Sequence, residues 1–453
     1  MDIKNEKRYD FANPLLNKTV LRIPNKEFTN QDSLIKFFKS NIDKEESIKP
    51  SEKIFLKTWI DNWVEENNIS REIGETRVCE TCQTPTYAKK FCEYCIRGYL
   101  TRNFSNWSSG VNEIDDLIRK CQKKTIRPDY IVEWIPYGNF VKPKLETTGG
   151  CASIYSTIWL GGRYDRWNAD KKQLERTGDR KVILKYWENS SNPNKRWFLE
   201  VKQHLNFMMR TNSVVKCYGL TKEPESQNFM LVLEPMTNNL FDFLLKNASS
   251  LNWQQRIEIL YDITYSLMKI HGSELIHRDL HPGNILQGHN SNNWYISDLG
   301  FCGPVVQEPG DIYVNPPYAA PEVLCGEGGI NLDDQFMPFV NGICNGLRPD
   351  TINGIPPDYE EIMKQCWSGK VSERPNAQYL FAYFENKLKK IYRNELMFPE
   401  LINININYSS QITNAKSRNI ILLKHLPDQN NTDIYKANSD GETKLILITS
   451  DDD

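Results

Sequence analysis

The stretch HRDLHPGNIL, residues 277–286, decides the fold of this chain. It holds a carboxylate, Asp279, and an amide, Asn284, five residues apart in a polar loop. The loop follows residues 253–271, where apolar side chains recur about every 3.6 residues, so a long helix is predicted to lead into it. A carboxylate that orients an acceptor hydroxyl and a ligand that holds Mg²⁺ at the phosphates are two parts that phosphoryl transfer needs.

The region before this loop has the pattern of a small antiparallel sheet with one inserted helix. Short alternating or apolar runs bounded by turn residues predict strands, and a longer run with helical spacing predicts the helix. The predicted strands are residues 153–160, 181–187, 214–220 and 229–234, and the predicted helix is residues 196–210.

Three further residues fit the chemistry of phosphoryl transfer. Asp298, in Ser297-Asp298-Leu299-Gly300 after a strand-like run, is placed to bridge the metal ion and the phosphates. Lys185, on the predicted strand of residues 181–187, is placed to reach the α- and β-phosphates. Glu200, on the following predicted helix, could pair with that lysine.

Four ordered motifs over residues 277–375 make the resemblance specific. HRDLHPGNIL, DLG, Ala320-Pro321-Glu322 and CWSGKVSERP, which ends at Arg374-Pro375, look like the eukaryotic protein kinase family. The Cys-Trp and Arg-Pro ending and the LVLEPM stretch resemble its tyrosine-kinase-like group. The layout of residues 75–390 is similar to a large kinase family of arbuscular mycorrhizal fungi.

Small-molecule kinases of the aminoglycoside and choline type share a His-x-Asp-x-x-x-x-Asn loop and are the alternative. Arg278 after the histidine, the Ala-Pro-Glu motif and the distant Arg-Pro favour a protein kinase. The resemblance implies an α+β, two-lobed protein kinase-like fold, with a small antiparallel sheet lobe and a helical lobe, that uses ATP and Mg²⁺.

The resemblance also implies roles for individual residues. Asp279, Lys185, Glu200 and Arg278 would form the catalytic set, with Arg278 binding the activation segment, and Asn284 and Asp298 would bind Mg²⁺. ATP would contact Lys185, Gly149, Gly150, Ile154, Ile183, Glu234, Met236, Leu286, Asn284 and Asp298. Glu322 and Arg374 match the family's buried ion pair, and Tyr318 matches a packed tyrosine of the substrate-binding segment.

Several positions depart from the family pattern. The phosphate loop keeps a glycine at only one of three expected places, Gly149, with Gly150 as an extra. Ile183 replaces a roofing alanine, where overpacking typically costs about 1–3 kcal/mol. His281 replaces a lysine, and an imidazole would stabilise charge less well than an ammonium group.

The largest departure is an apparent deletion near residues 325–345. The motif that opens a long buried helix is absent, and only 52 residues separate Glu322 from Arg374. That interval is shorter than the family's by roughly one helix of twenty residues. Three explanations remain open: a mis-spliced or truncated gene model, a structural pseudokinase, or a functional compensation.

Four cysteines cluster as two Cys-x2-Cys pairs, Cys79 with Cys82 and Cys92 with Cys95. Each pair can place two thiolates on one ion, so the four predict a structural tetrahedral Zn²⁺ site in a zinc-ribbon-like module. Four free thiols, or a redox pair, are the alternative. The other cysteines show no pairing in the sequence, and we expect them to be free structural or incidental thiols.

Composition and net charge limit the partners and cellular locations that fit this chain. The net charge is −2 and the mean hydropathy is −0.58, so neither a nucleic-acid partner nor a membrane is expected. The charged N-terminal stretch predicts no secretory signal, and we expect an intracellular, cytoplasmic protein, with the nucleus as an alternative. The partner would be a protein substrate or a signalling protein, and the oligomeric state is open.

The chain is expected to divide into five segments. Residues 1–70 form a polar, poorly packed leader that is partly helical or disordered, and residues 71–100 form the zinc-ribbon-like module. Residues 101–139 form a helical linker and a leading strand, and residues 140–393 form the kinase-like domain. Residues 394–453 form a low-complexity tail in which KLILITS could add a strand. An active protein kinase and a pseudokinase that serves as a binding module are the two functions that fit.

Overall fold

The computed structural model describes most of the chain. The described residues are 31–44, 50–148, 152–190, 196–208, 214–289, 293–301, 303–304, 312–314, 316–325, 337–349, 354–393, 395–396, 421–425 and 443–447. The chain divides into two compact units, one of residues 1–237 with 287–293 and one of residues 238–286 with 294–453. The cysteine cluster and the predicted linker belong to the same unit as the sheet.

The first unit combines five helices with ten strands among the described residues. Their bounds are α1 Gln31–Lys44, α2 Pro50–Arg71, β1 Arg77–Val78, β2 Pro85–Thr86, α3 Glu93–Arg102, α4 Asn112–Lys124, β3 Glu133–Trp134, β4 Phe140–Thr148, β5 Ser153–Trp159, β6 Tyr164–Asn168, β7 Gln173–Arg176, β8 Arg180–Tyr186, α5 Arg196–Met208, β9 Cys217–Lys222 and β10 Phe229–Leu233. The strands and helix predicted from the sequence fall within one to three residues of β5, β8, α5, β9 and β10.

A six-stranded sheet in the order β3–β9–β10–β8–β5–β4 is the centre of the first unit. Its strands pair antiparallel except for β3 and β9, which run parallel. One face of the sheet packs into a core because side chains alternate across a strand. The buried members of this core are Ile135, Phe140, Trp159, Val182, Leu184, Tyr218, Met230 and Val232.

Strand β11, Met236–Asn239, begins in the first unit and runs into the second, which is mainly helical. Its further elements are α6 Leu240–Asn247, α7 Trp253–His271, β12 Leu275–Ile276, β13 Ile285–Gly288, β14 Trp294–Ile296, β15 Gly303–Pro304, β16 Ile312–Val314, α8 Pro321–Leu324, α9 Met337–Cys344, α10 Pro357–Cys366, α11 Ala377–Tyr392, β17 Ile421–His425 and β18 Thr443–Leu447. Helix α7 has the predicted bounds. It begins where Asn252 and Gln255 form a capping box.

Helix α7 is held mainly by α11. Phe381 of α11 packs against Tyr261 and Tyr265 of α7, with ring centroids 5.3 and 5.6 Å apart. The Tyr392 hydroxyl donates to Glu258 at 2.7 Å. These contacts anchor the helix that leads into residues 277–286.

Both ends of the described chain contain regular elements. In the leader, the helices α1 and α2 agree with the expectation of a partly helical segment, and they bury Ile42, Leu56, Ile60 and Ile69. In the tail, β17 and β18 pair with each other, and KLILITS supplies the second strand.

The expectation that Cys325 and Cys344 are free thiols is also wrong. Their sulfurs are bonded at 2.03 Å, which joins the residue after α8 to the end of α9. The two residues are 19 apart in the sequence, and only the packing of α8 near α9 brings them together. Helix α9 has eight residues, so the described part of the 325–345 interval holds a short helix in place of the long one expected from the family.

Candidate active site and cysteine cluster

Lys185 and Glu200 form a buried ion pair in the first unit. Lys185 lies in β8 and Glu200 in the first turns of α5, and their Nζ and Oε1 atoms are 2.6 Å apart. The two residues are 8 % and 5 % exposed, so water screens this charge contact only weakly. The sequence spacing predicted this pair, and the structure contains it.

The sheet face that carries Lys185 is opposite the apolar core. Directly paired residues share a face, and Ile154 of β5 pairs with Lys185 while Leu233 of β10 pairs with Ile183. Ile154 and Ile183 are half-buried. The Lys185 ammonium group thus lies on the same sheet face as the apolar side chains of Ile154 and Ile183. Such a face suits a nucleotide, whose flat base is apolar and whose phosphates are charged.

Glu234 follows this wall at the end of β10. Its backbone N–H donates to the carbonyl of Lys216 at 2.9 Å, which leaves its carbonyl as the backbone group for a ligand. Its carboxylate accepts from the Tyr218 hydroxyl at 3.3 Å. Met236 is half-buried at the start of β11. Gly149 and Gly150 of the predicted phosphate loop lie outside the described residues.

Residues 277–286 form an ordered loop in the second unit. The Asn284 amide nitrogen donates to the carbonyl and to Oδ2 of Asp279, both at 3.0 Å. The amide oxygen of Asn284 therefore remains for a metal ion, which fits the oxygen ligands that Mg²⁺ prefers. The register that the sequence predicted for Asp279 and Asn284 thus brings the two side chains together.

The loop is tied to the segment that carries Asp298. Buried His277 contacts the carbonyl of Ser297 through Nε2 at 2.9 Å, and the Ser297 hydroxyl donates to the carbonyl of Asn284 at 2.9 Å. Burial lowers the pKa of His277 below the usual imidazole value, so the ring is held neutral. Neither residue was predicted from the sequence to have a role, and His277 has a local signal only as the first residue of the HRD motif.

Arg278 and Asp298 both have positive φ angles, 67° and 58°. Residues other than glycine rarely adopt this conformation, and such strain clusters at functional sites. Both side chains are half-buried, as is Leu286 at the start of β13. Seven other non-glycine residues of the described chain share a positive φ, so the angles agree with the motif but do not select the two residues by themselves.

Glu322 and Arg374 form the predicted ion pair, with two contacts of 2.7 Å. The expectation that the pair is buried is wrong, because the Glu322 side chain is 38 % exposed. In the described part of the interval between the two residues, the helices α9 and α10 have only 8 and 10 residues. Tyr318 is 44 % exposed, and one side of its ring packs against His281.

The four clustered cysteines converge in the first unit. All four sulfurs lie within 4.8 Å of one another, with Cys79 to Cys95 and Cys82 to Cys92 both at 3.6 Å. A tetrahedral Zn²⁺ with bonds of about 2.3 Å separates its sulfurs by about 3.8 Å, so the four residues fit this ion. Burial opposes ionisation of Cys79, but the backbone N–H groups of Cys82 and Thr81 lower its pKa to about 6.

The cysteine cluster packs on the sheet unit rather than standing apart. Trp167, in the β6–β7 hairpin between β5 and β8, contacts the buried cysteines, and its ring meets Tyr99 edge-on at 5.8 Å. In the same hairpin, both guanidinium nitrogens of Arg176 contact the carboxylate of Glu133 in β3. Sequence reasoning missed these contacts because the partners are distant in the chain.

Comparisons with known proteins bear on the same residues. Residues 171–335 match the family model described as a protein kinase domain. Over 359 residues the chain is 24 % identical to an Acanthamoeba polyphaga mimivirus protein with the provisional name serine/threonine-protein kinase/receptor R818, covering 69 % of this chain and 20 % of that protein.

Two further relatives match a shorter part of the chain. It is 26 % identical over 171 residues to the dual serine/threonine and tyrosine protein kinase of Takifugu rubripes, covering 32 % of this chain and 18 % of the relative. It is 28 % identical over 157 residues to the protein of that name from Apis mellifera, covering 28 % and 16 %. The chain thus spans about a fifth or less of the curated relatives it matches. No helix among the described residues has the length and apolarity needed to cross a bilayer.

Proposed function

We propose that this chain, which contains a protein kinase domain of the eukaryotic protein kinase family, transfers the γ-phosphoryl group of ATP to a protein hydroxyl. The observation that carries the proposal is the buried contact of 2.6 Å between Lys185 and Glu200. Holding a lysine beside a buried carboxylate has no evident packing purpose, since a buried ion pair often adds little stability. Positioning that ammonium group for phosphates gives the pair a function.

The proposal assigns each residue one task. Lys185, oriented by Glu200, binds the α- and β-phosphates, and the backbone at Gly149 and Gly150 covers them. Asp279 orients the acceptor hydroxyl and accepts its proton. Asn284 and Asp298 would hold Mg²⁺, which neutralises charge on the phosphates when bound.

The adenine pocket and the activation segment complete this assignment. Ile154, Ile183 and Leu286 would enclose the base, and the carbonyl of Glu234 and the backbone of Met236 would bind its edge. Arg278 would bind the activation segment. The names of the three relatives support Ser, Thr or Tyr as acceptors, and the motifs support the tyrosine-kinase-like group.

The test is phosphorylation of a general protein acceptor by the full chain with ATP and Mg²⁺. Asp279→Asn and Lys185→Met are each expected to lower turnover at least about 100-fold, because each removes a group that acts in the transition state. Lys181→Met is the matched control, since Lys181 is an exposed lysine of the same strand. Turnover that Asp279→Asn leaves unchanged would contradict the proposal.

A pseudokinase that binds partners without turnover is the second candidate. Half-buried Ile183 adds bulk to the proposed base-binding face, and the half-exposed Glu322–Arg374 pair departs from the family's buried pair. ATP binding without turnover, measured by thermal shift with Mg²⁺, would favour this candidate. The transcript across residues 323–345 is a second discriminator, because an omitted exon there would restore the active kinase.

We also propose that Cys79, Cys82, Cys92 and Cys95 hold one structural Zn²⁺ ion. Four sulfur ligands close a tetrahedral site, so the ion would stabilise the fold and take no part in turnover. Metal analysis of the purified full chain is expected to find one zinc per chain, and Cys82→Ser is expected to reduce it. Cys366→Ser, which alters another exposed free cysteine, is the control and is expected to retain the metal.

The expected partner and cellular location of the protein follow from these proposals. We infer a protein substrate or signalling partner and an intracellular, cytoplasmic location, because the four zinc-binding thiols must be reduced; the Cys325–Cys344 bond is the exception to this reducing setting. The near-neutral net charge of −2 offers no field for nucleic acid.

A further inference from the structure

His281 stands at the family's lysine position, and its ring is fixed by contacts within the second unit. The backbone N–H of Gly283 donates to His281 Nδ1 at 3.1 Å. A ring nitrogen that accepts a hydrogen bond carries no proton, so in the neutral imidazole the proton is on Nε2. The neighbour thus selects one tautomer of His281.

Nε2 of this ring faces the carboxylate of Asp279. It lies 3.7 Å from Oδ2, the atom that also accepts from Asn284 at 3.0 Å. Both neighbours approach the same oxygen of Asp279. The contacts found among the described residues thus leave Oδ1 for an acceptor hydroxyl.

The space for the ring depends on the residue at position 283. A Cβ at Gly283 would lie 2.7 Å from Cε1 and 2.9 Å from Nδ1 of His281, so a larger residue would displace the ring. From another side, the Tyr318 ring packs on the imidazole, with centroids 5.6 Å apart and planes tilted by 33°. Residues 283 and 318 therefore hold the imidazole in place.

We propose that His281 is a positioning residue for Asp279: its neutral ring turns the Nε2–H dipole toward Oδ2 at 3.7 Å, beyond direct hydrogen-bond reach, and so favours the carboxylate orientation in which Oδ1 faces the acceptor hydroxyl. This inference rests on the proposed kinase activity. It differs from a lysine at this position, because a lysine supplies a positive charge and accepts no hydrogen bond from residue 283. In the sequence His281-Pro282-Gly283, the histidine then requires the glycine, because a larger residue at 283 would displace the ring.

The test compares variants of the full chain by steady-state phosphorylation. His281→Leu is expected to lower kcat about tenfold with KM for ATP unchanged, since the loss falls on alignment of the base. His281→Gln, which keeps an N–H donor, is expected to recover most of kcat. Gly283→Ala is expected to match His281→Leu, and His289→Leu, at an exposed histidine, is expected to match the wild type.

A second readout needs no turnover. Long-range proton–nitrogen NMR of ¹⁵N-histidine-labelled protein, assigned by comparison with His281→Gln, is expected to show the Nε2–H tautomer. An Nδ1–H tautomer, or equal kcat in wild type and His281→Leu, overturns the inference while leaving the kinase proposal intact. If kcat falls equally in His281→Leu and His281→Gln, the side chain of His281 acts only by filling space, which would contradict the inference. A wild type without Asp279-dependent turnover overturns both proposals.

Discussion

Replacing Asp115 tests how a buried carboxylate fixes the start of α4. Its side chain is 2 % exposed and accepts three hydrogen bonds, from Ser109 N at 2.8 Å, Ser109 Oγ at 2.5 Å and Ser108 Oγ at 2.7 Å. These residues belong to the run WSSGVNEID, residues 107–115, and the hydrogen bonds give its serines and its aspartate a structural role. Removing the carboxylate takes this acceptor from the Ser109 N–H and the Ser108 hydroxyl, and leaves the Ser109 hydroxyl only the Val111 carbonyl at 3.0 Å.

The magnitude follows from the three bonds. A hydrogen bond to a charged group contributes about 1.5–3 kcal/mol, and the terms are not additive within one site. Asp115→Ala is therefore expected to cost about 3–5 kcal/mol of unfolding free energy. Asp115→Asn keeps the shape and one acceptor oxygen, so about 1–2 kcal/mol is expected.

The dependence on pH gives a second signature. Burial opposes ionisation, but the bonds from the two serines lower the pKa of Asp115 below its usual 3.8. A lowered carboxyl pKa adds stability above the unfolded value, and this is lost as pH falls through the folded pKa. The difference between wild type and Asp115→Asn is expected to persist at pH 7 and to shrink below about pH 4.

Urea unfolding, with hydrogen exchange of the peptide 104–124, measures the effect. Asp116→Asn is the matched control, because Asp116 is the next residue, is 77 % exposed and contacts only Arg119, at 3.6 Å, among the described residues. It is expected to change stability by less than about 0.5 kcal/mol. Equal costs for Asp115→Asn and Asp116→Asn would refute the reasoning.

Three other predictions concern both units. Burial raises the pKa of Asp262 to about 7, although the hydrogen bond donated by the Trp294 N–H acts to lower it. The folded chain therefore loses stability as the pH rises from about 4 to 7, because the buried carboxyl group must ionise. Asp262→Asn is therefore expected to raise the free energy of unfolding at pH 8, by at most about 4 kcal/mol, and so to raise the Tm, with no gain at pH 4. A Cβ at Gly219 would collide with the backbone of Glu133, so Gly219→Ala is expected to cost more than about 2 kcal/mol in urea unfolding. Trp167→Ala is expected to cost about 2 kcal/mol and to speed zinc release to a chelator, because this ring covers the cysteine cluster; an unchanged release rate would argue against that contact.

The sequence by itself determined the elements whose signals are local. The strands around Lys185 follow from short apolar runs, and α7 follows from its 3.6-residue period. The pairing of Lys185 with Glu200, and the register of Asp279 with Asn284, follow from motif spacing. The chemical roles of these residues remain predictions that the variants above will test.

Tertiary structure alone decided the contacts between distant segments. The Cys325–Cys344 bond and the packing of Trp167 on the cysteine cluster join residues whose sequence carries no signal for the partner. The tautomer of His281 depends on one backbone N–H and on the space left by Gly283. A periodic pattern of apolar residues predicts which face of a helix or strand is buried. It does not predict which element packs against that face, because this depends on how the side chains of distant segments fit together in the folded core.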